Sequence, residues 1–126
     1  MSNGVNKKLE VKKDDRGKLI EVFKIPGFGQ VLYSTSKPGV LRGNHYHTRK
    51  EEKFFVIEGK AKITLRNRET GEIKEFFVDG GSPEIIDIPK NWVHNIKNTG
   101  QGELKLLVWA NEVYNPDDPD TFAEEV

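Results

Sequence analysis

The stretch Lys60-Ala61-Lys62-Ile63-Thr64-Leu65-Arg66 alternates polar and apolar residues without a break. A period of two is the mark of a half-buried β-strand, with Ala61, Ile63 and Leu65 facing inward and the charges facing water. Glu69-Thr70-Gly71 supplies a turn, and Glu72 to Val78 is a second β-forming run, so the two predict a hairpin. The rest of the chain repeats this grammar. Short runs rich in β-formers cover Leu9 to Lys13, Leu19 to Ile25, Gln30 to Ser36, Val40 to His47, Lys53 to Glu58, Glu84 to Ile88, the segment around His94, and Glu103 to Asn111. Asp14-Asp15-Arg16-Gly17, Pro26-Gly27-Phe28-Gly29, Lys37-Pro38-Gly39, Asp79-Gly80-Gly81-Ser82-Pro83 and Asn98-Thr99-Gly100 separate them as turns. With no amphipathic helix, repeat or linker, the pattern predicts an all-β, antiparallel sandwich or barrel over residues 1–126. The polar residues 1–8 are expected to be loose, and the tail from 113 to 126, with Pro116 and Pro119, to be irregular.

Only three histidines occur, and two of them, His45 and His47, are one residue apart. In a strand they share a face, and Tyr46 points the other way. Thr48 to Glu51 is polar and can turn the chain, after which Glu52, Phe54 and Val56 share a face of the next run. Two imidazoles and a carboxylate on the inner wall of one hairpin, joined by His94 from a distant strand, make a metal-ligand set. The chain has no cysteine, so disulfides and thiolate chemistry are excluded and any metal is held by nitrogen and oxygen. Twenty basic residues balance twenty acidic ones, which argues against a general electrostatic hold on nucleic acid or on an anionic membrane. The lysines at 7, 8, 12 and 13 have no interleaved aromatics and read as solvated charge. No run is apolar and long enough to cross a bilayer, and the first residues lack the apolar stretch of a signal peptide, so the cytoplasm is the expected location.

Gly43-Asn44-His45-Tyr46-His47, then Glu52, then Gly59 resembles the first signature of the cupin superfamily. Gly81, Pro89, Asn91, His94 and Asn98 resemble the second, with Asn91 where glycine is usual; asparagine tolerates the left-handed backbone that the turn requires. The resemblance implies a jelly-roll barrel whose mouth holds a divalent metal on His45, His47, Glu52 and His94. Pro38 to His47, Glu52-Lys53-Phe54, Asp87-Ile88-Pro89, His94-Asn95-Ile96 and Trp109 to Thr121 are more narrowly similar to the cupin halves of bifunctional capsular-polysaccharide enzymes, a likeness running from about Asp15 to the C-terminus. That family epimerises a UDP-linked 4-keto-6-deoxy sugar at C3 with zinc in the site, and a separate reductase half then reduces the ketone. The reductase half has no counterpart in these 126 residues, which makes a separate reductase an expected partner.

Arg42-Gly43-Asn44-His45 is also similar to an element of the deoxysugar 3,5-epimerases and 3,4-ketoisomerases, which use histidine as a base without metal. A metal-free isomerase with His45 and His47 as acid and base is therefore one alternative. A non-catalytic sugar-binding cupin is another, and an oxygenase a third. Three imidazoles and a carboxylate suit zinc, iron, manganese, nickel or copper, and the family likeness favours zinc. Coordinated imidazoles cannot serve as bases, so Tyr33, Tyr46, Lys53 and Tyr114 are the candidate bases, although alternation turns Tyr46 and Lys53 away from the ligands. Arg42 is a candidate for binding the diphosphate of a nucleotide sugar. Outward-facing Phe55 and Ile57 fit a homodimer formed through the outer sheet.

Overall fold

Every-second-residue apolar patterning drives the chain into strands that must share one interior, and the computed structural model, which describes residues 6–126, shows eleven of them. They are β1 (Lys12–Asp14), β2 (Gly17–Ile25), β3 (Gly29–Ser36), β4 (Leu41–Tyr46), β5 (Glu52–Glu58), β6 (Lys60–Asn67), β7 (Ile73–Asp79), β8 (Ile85–Ile88), β9 (Trp92–Asn98), β10 (Leu104–Ala110) and β11 (Phe122–Ala123). Two antiparallel sheets result, in the orders β1-β2-β3-β10-β5-β8 and β11-β4-β9-β6-β7, which is the jelly-roll arrangement expected. No helix among the described residues is long and apolar enough to cross a membrane.

The core lies between the sheets. Phe54, Val56, Ile86, Ile88, Leu106 and Val108 come from one sheet, and Ala61, Ile63, Leu65, Val78 and Ile96 from the other. The predicted hairpin forms as β6 and β7, with Ala61 opposite Val78 and Ile63 opposite Phe76. On β10 the alternation is complete: Leu104, Leu106, Val108 and Ala110 are buried, while Leu107 and Trp109 lie on the outer face. That outer face is itself apolar, because Leu107 sits between Phe55 and Tyr33, and Phe28 packs edge-on against Trp109.

Three details differ from the sequence reading. The runs carrying His47 and Glu52 are not two strands of one hairpin, since β4 and β5 lie in opposite sheets and residues 47–51 cross between them. The first edge strand covers Lys12–Asp14 rather than starting at Leu9. There Asp14 accepts the Arg16 N–H at 2.8 Å and closes a tight turn onto β2, and pairing stops at Leu19. Leu9 and Glu10 instead line a cavity. The tail is not wholly irregular, because β11 pairs with β4, placing Phe122 beside Tyr46 and Ala123 beside His45. Of the stretch expected to be loose, residues 1–5 lie outside the described residues, and 6–8 form no strand.

Candidate metal centre

A β-bulge sets the site. Between Gly43 and His45, β4 carries one residue more than β9, with Gly43 at φ 99° and Asn44 at φ 58°. A side chain at 43 would put its Cβ 2.9 Å from the His94 carbonyl oxygen, so glycine is needed for the strands to meet. The bulge places His45 directly across from His94, with ring centroids 4.5 Å apart. His47 follows two residues on, its ring 5.1 Å from that of His45, as the period of two requires. Glu52 opens β5 in the other sheet and reaches back, with Oε1 2.9 Å from His47 Nε2 and 3.4 Å from His94 Nε2. Asn91 takes φ 65°, the left-handed backbone expected of it, and its N–H donates to the His47 carbonyl at 2.7 Å.

These four residues fit a metal. One ligand atom from each of His45, His47, Glu52 and His94 lies within 4.8 Å of the others. Ligands bound at about 2.0–2.2 Å stand roughly 3.3–4.3 Å apart, so closing on an ion takes only a small contraction. The ring nitrogens are already sorted. His47 Nδ1 is 2.6 Å from the Asp120 carbonyl, which can only accept, so Nδ1 carries a proton, and Nε2, 2.9 Å from the Glu52 carboxylate, is the nitrogen a metal would take in place of its proton. His94 Nδ1 donates more weakly to the Trp92 carbonyl at 3.3 Å. His94 Nε2 is buried and makes no hydrogen bond, an orphan nitrogen aimed at the place where an ion would sit.

The two paired histidines differ in charge tendency. Burial and the neighbouring His94 and His47 rings lower His45 to about 4, so it is neutral at pH 7. Burial works against protonation of His47, but the Glu52 carboxylate and the Asp120 carbonyl outweigh it and raise its pKa. Burial would push Glu52 up, yet its contacts with the His47 and His94 rings prevail and hold it below the usual carboxylate range. An ionised carboxylate among imidazoles therefore faces a cavity of about 730 Å³, also lined by Gln30, Leu32, Lys50, Tyr114 and Thr121.

The candidate bases separate cleanly. Only Tyr114 lines the cavity. Tyr46 stacks on Phe122 outside the barrel, with the Arg68 guanidinium 3.9 Å from its ring. Lys53 is exposed and paired with Asp87 at 2.6 Å. Tyr33 lies on the opposite face of β3 from Gln30 and Leu32, which line the cavity. Arg42 donates to Ser36 Oγ and to the Thr35 carbonyl, both at 2.9 Å, and does not line the cavity.

Sequence reasoning missed Lys50, Gln30 and Asp120. Nothing in periodicity marks a turn lysine as buried, and an acid in a proline-rich tail reads as solvent-facing. Asp120 is instead 2 % exposed. Its carboxylate accepts the N–H groups of Thr48, Arg49 and Lys50 at 2.8–3.0 Å and the Thr48 hydroxyl at 2.5 Å. Those bonds replace the sheet pairing that residues 47–51 forgo.

Against known proteins, the sequence profile of the family described as "Polysaccharide biosynthesis C-terminal domain" matches residues 12–122. The UDP-2-acetamido-2,6-beta-L-arabino-hexul-4-ose reductase of Pseudomonas aeruginosa is 42 % identical over 110 residues, covering 87 % of this chain and 30 % of that protein. The probable low-salt glycan biosynthesis epimerase Agl13 of Haloferax volcanii is 30 % identical, covering 89 % of this chain and 80 % of its own length. The crystal structure of the capsular polysaccharide assembling protein CapF from Staphylococcus aureus superposes with a TM-score of 0.92 at 42 % identity, over 96 % of this chain and 35 % of that one. The chain thus spans about a third of the length of the first and last of these.

Asp120 also gives the site a measurable acid sensitivity. Burial opposes its charge, but the Thr48 hydroxyl and the three N–H groups win and lower its pKa. A depressed carboxylate adds stability that is complete above the unfolded value, about pH 4, and is lost as pH falls through the folded value. Asp120→Asn keeps the shape and loses the charge. It should cost about 2 kcal/mol at pH 7 in urea denaturation, and the gap from wild type should narrow toward pH 2. A gap independent of pH would contradict this role.

Proposed function

The chain belongs to the polysaccharide biosynthesis C-terminal domain family, and from that premise we propose that it epimerises a nucleotide-linked 4-keto-6-deoxy sugar at C3, with zinc held by His45, His47, Glu52 and His94. The observation that carries the proposal is the ligand cluster at the wall of the cavity, with His94 Nε2 buried and making no hydrogen bond. A bound zinc would polarise the sugar's carbonyl and support the negative charge that develops there when the neighbouring C–H bond is broken.

The chain's own residues do the rest. The Asp120 carbonyl keeps a proton on His47 Nδ1 and His45 stays neutral, so a metal would have only the His47 Nε2 proton to displace. Glu52 brings the negative charge that offsets a divalent ion. Leu9, Leu19 and Leu32 give the cavity an apolar side for the sugar's methyl group, and Lys7, Lys8 and Lys12 give its rim a cationic stretch suited to a diphosphate. That rim revises the reading of the N-terminal lysines as plain solvated charge. The reduction that follows in this chemistry falls to a reductase site outside these residues, in keeping with the relative named as a reductase. The apolar outer face of the six-stranded sheet, with Phe55, Leu107 and Trp109, supports pairing with a second copy of the chain.

Two measurements test this. In D2O, a UDP-linked 2-acetamido-2,6-dideoxy-4-hexulose should take up deuterium at C3 by NMR with the wild-type chain and at least about 100-fold more slowly with His94→Ala. No uptake by the wild type would refute the epimerase. Light scattering should give twice the chain mass, reduced to one by Leu107→Lys; a wild-type monomer at micromolar concentration would remove the dimer.

A further inference from the structure

Lys50 is the least expected residue of the cavity. It lies in the polar connection between His47 and Glu52, yet it is only 5 % exposed, and it lines the same cavity as the metal-ligand cluster. Its backbone N–H is fixed by Asp120 at 2.9 Å, and its Nζ sits 5.2 Å from the centre of the Tyr114 ring. Among the described residues, its ammonium has no carboxylate within ion-pair distance and no hydrogen bond. The lysine ion pairs among the described residues, such as Lys53 with Asp87, Lys62 with Glu75 and Lys105 with Glu58, are on exposed or half-exposed side chains. The side chain is enclosed except toward the cavity it lines, so its ammonium faces that cavity. The Tyr114 face attracts the charge but supplies none of the acceptors for its three N–H donors, which are left to whatever fills the cavity.

Gln30 stands in a matching position. It is 4 % exposed, lines the cavity, and its side-chain oxygen accepts the Tyr114 N–H at 3.0 Å. Its amide nitrogen is left as the free end. Tyr114 thus anchors both groups, through its ring for Lys50 and its backbone for Gln30, and the two present unfilled donors to one cavity. Such a pair is built for a ligand rich in oxygen acceptors.

We propose that Lys50 Nζ, with the Gln30 amide nitrogen as second donor, binds oxygens of the keto-sugar in the cavity beside the metal-ligand cluster and so is a substrate-binding residue. This rests on the epimerase reading above. The connection between the sheets then contributes more than spacing. It delivers His47 and Glu52 toward an ion and, between them, the cation that holds the sugar. The C-terminal tail is part of the same device, since Asp120 fixes the backbone of Lys50 and Tyr114 carries its ammonium.

The chain's lack of cysteine allows a sharp test. Lys50→Met is compared with wild type for binding of the UDP-linked 2-acetamido-2,6-dideoxy-4-hexulose by calorimetry and for deuterium uptake at C3. Lys50→Cys is measured before and after alkylation with 2-bromoethylamine, which rebuilds an ammonium of nearly lysine length, with completeness read by mass spectrometry. Lys50→Met should bind the probe and turn it over about 10- to 100-fold less well, with metal content unchanged. Aminoethylation of Lys50→Cys should restore at least about tenfold of the loss, which a purely structural lysine would not require. If Lys50→Met does not fold, the alkylated and unalkylated Lys50→Cys proteins decide alone. A variant within threefold of an active wild type, or alkylation complete without recovery, would overturn the role of Lys50 and leave the epimerase reading standing. A wild type that neither binds nor exchanges the probe would overturn both.

Discussion

The connection between β4 and β5 has to leave one sheet, cross the end of the barrel and enter the other, and a single carboxylate makes that crossing possible. Backbone N–H groups buried outside a sheet need acceptors, and Asp120 supplies them to Thr48, Arg49 and Lys50 together. Its carbonyl meanwhile accepts the Nδ1–H of His47. One tail residue, itself held at φ 50°, therefore shapes the crossing, orients a candidate ligand and sets the direction of Lys50. Because the crossing spans the two sheets, the cluster does as well: His45 and His94 stand on the five-stranded sheet, His47 opens the crossing, and the carboxylate stands on the six-stranded sheet. The site is a clasp at one end of the sandwich.

Polar burial of this density is costly unless something answers it. His47, His94, Lys50 and Asp120 are all nearly inaccessible, beside a core between the sheets that is apolar. Asp120 is satisfied within the protein, whereas His94 Nε2 makes no hydrogen bond and the Lys50 ammonium, open to the cavity, has no carboxylate beside it among the described residues. A network completed at one end and left open at the other marks the open end as the place for a ligand. The two unfilled groups differ in kind, an imidazole lone pair and a cation with three donors, and so call for two different things: an electron-pair acceptor and an oxygen-rich molecule.

How much of this could be read in advance depended on whether a residue's role was local. Ala61, Ile63 and Leu65 announce their strand because burial on one face repeats every second residue, and His45 and His47 share a face for the same reason. Asn91 in a left-handed turn was legible from the tolerance of its side chain for that backbone. The hairpin expected at His47 and Glu52 failed because a polar stretch of four residues looks the same whether it turns within a sheet or crosses between two; what decides it is Asp120, about seventy positions away. Lys50 and Gln30 were invisible for a related reason, since their burial is created by Tyr114 and the tail rather than by any pattern around them. Tyr33 and Arg42 illustrate the converse: residue types suited to catalysis or phosphate binding, placed by strand geometry on the wrong side of the sheet or tied into its end.

The chemistry of the site turns on His45, His47, Glu52 and His94 holding one metal ion, and metal content decides that most directly. Protein purified without a histidine tag or chelator would be measured by inductively coupled plasma mass spectrometry beside His94→Ala and Glu52→Gln. The expected result is close to one zinc per chain in the wild type and a loss of it in both variants. A wild type that carries no divalent metal, even after zinc is added back and excess removed, would contradict the central claim and leave His45 and His47 as a bare acid–base pair.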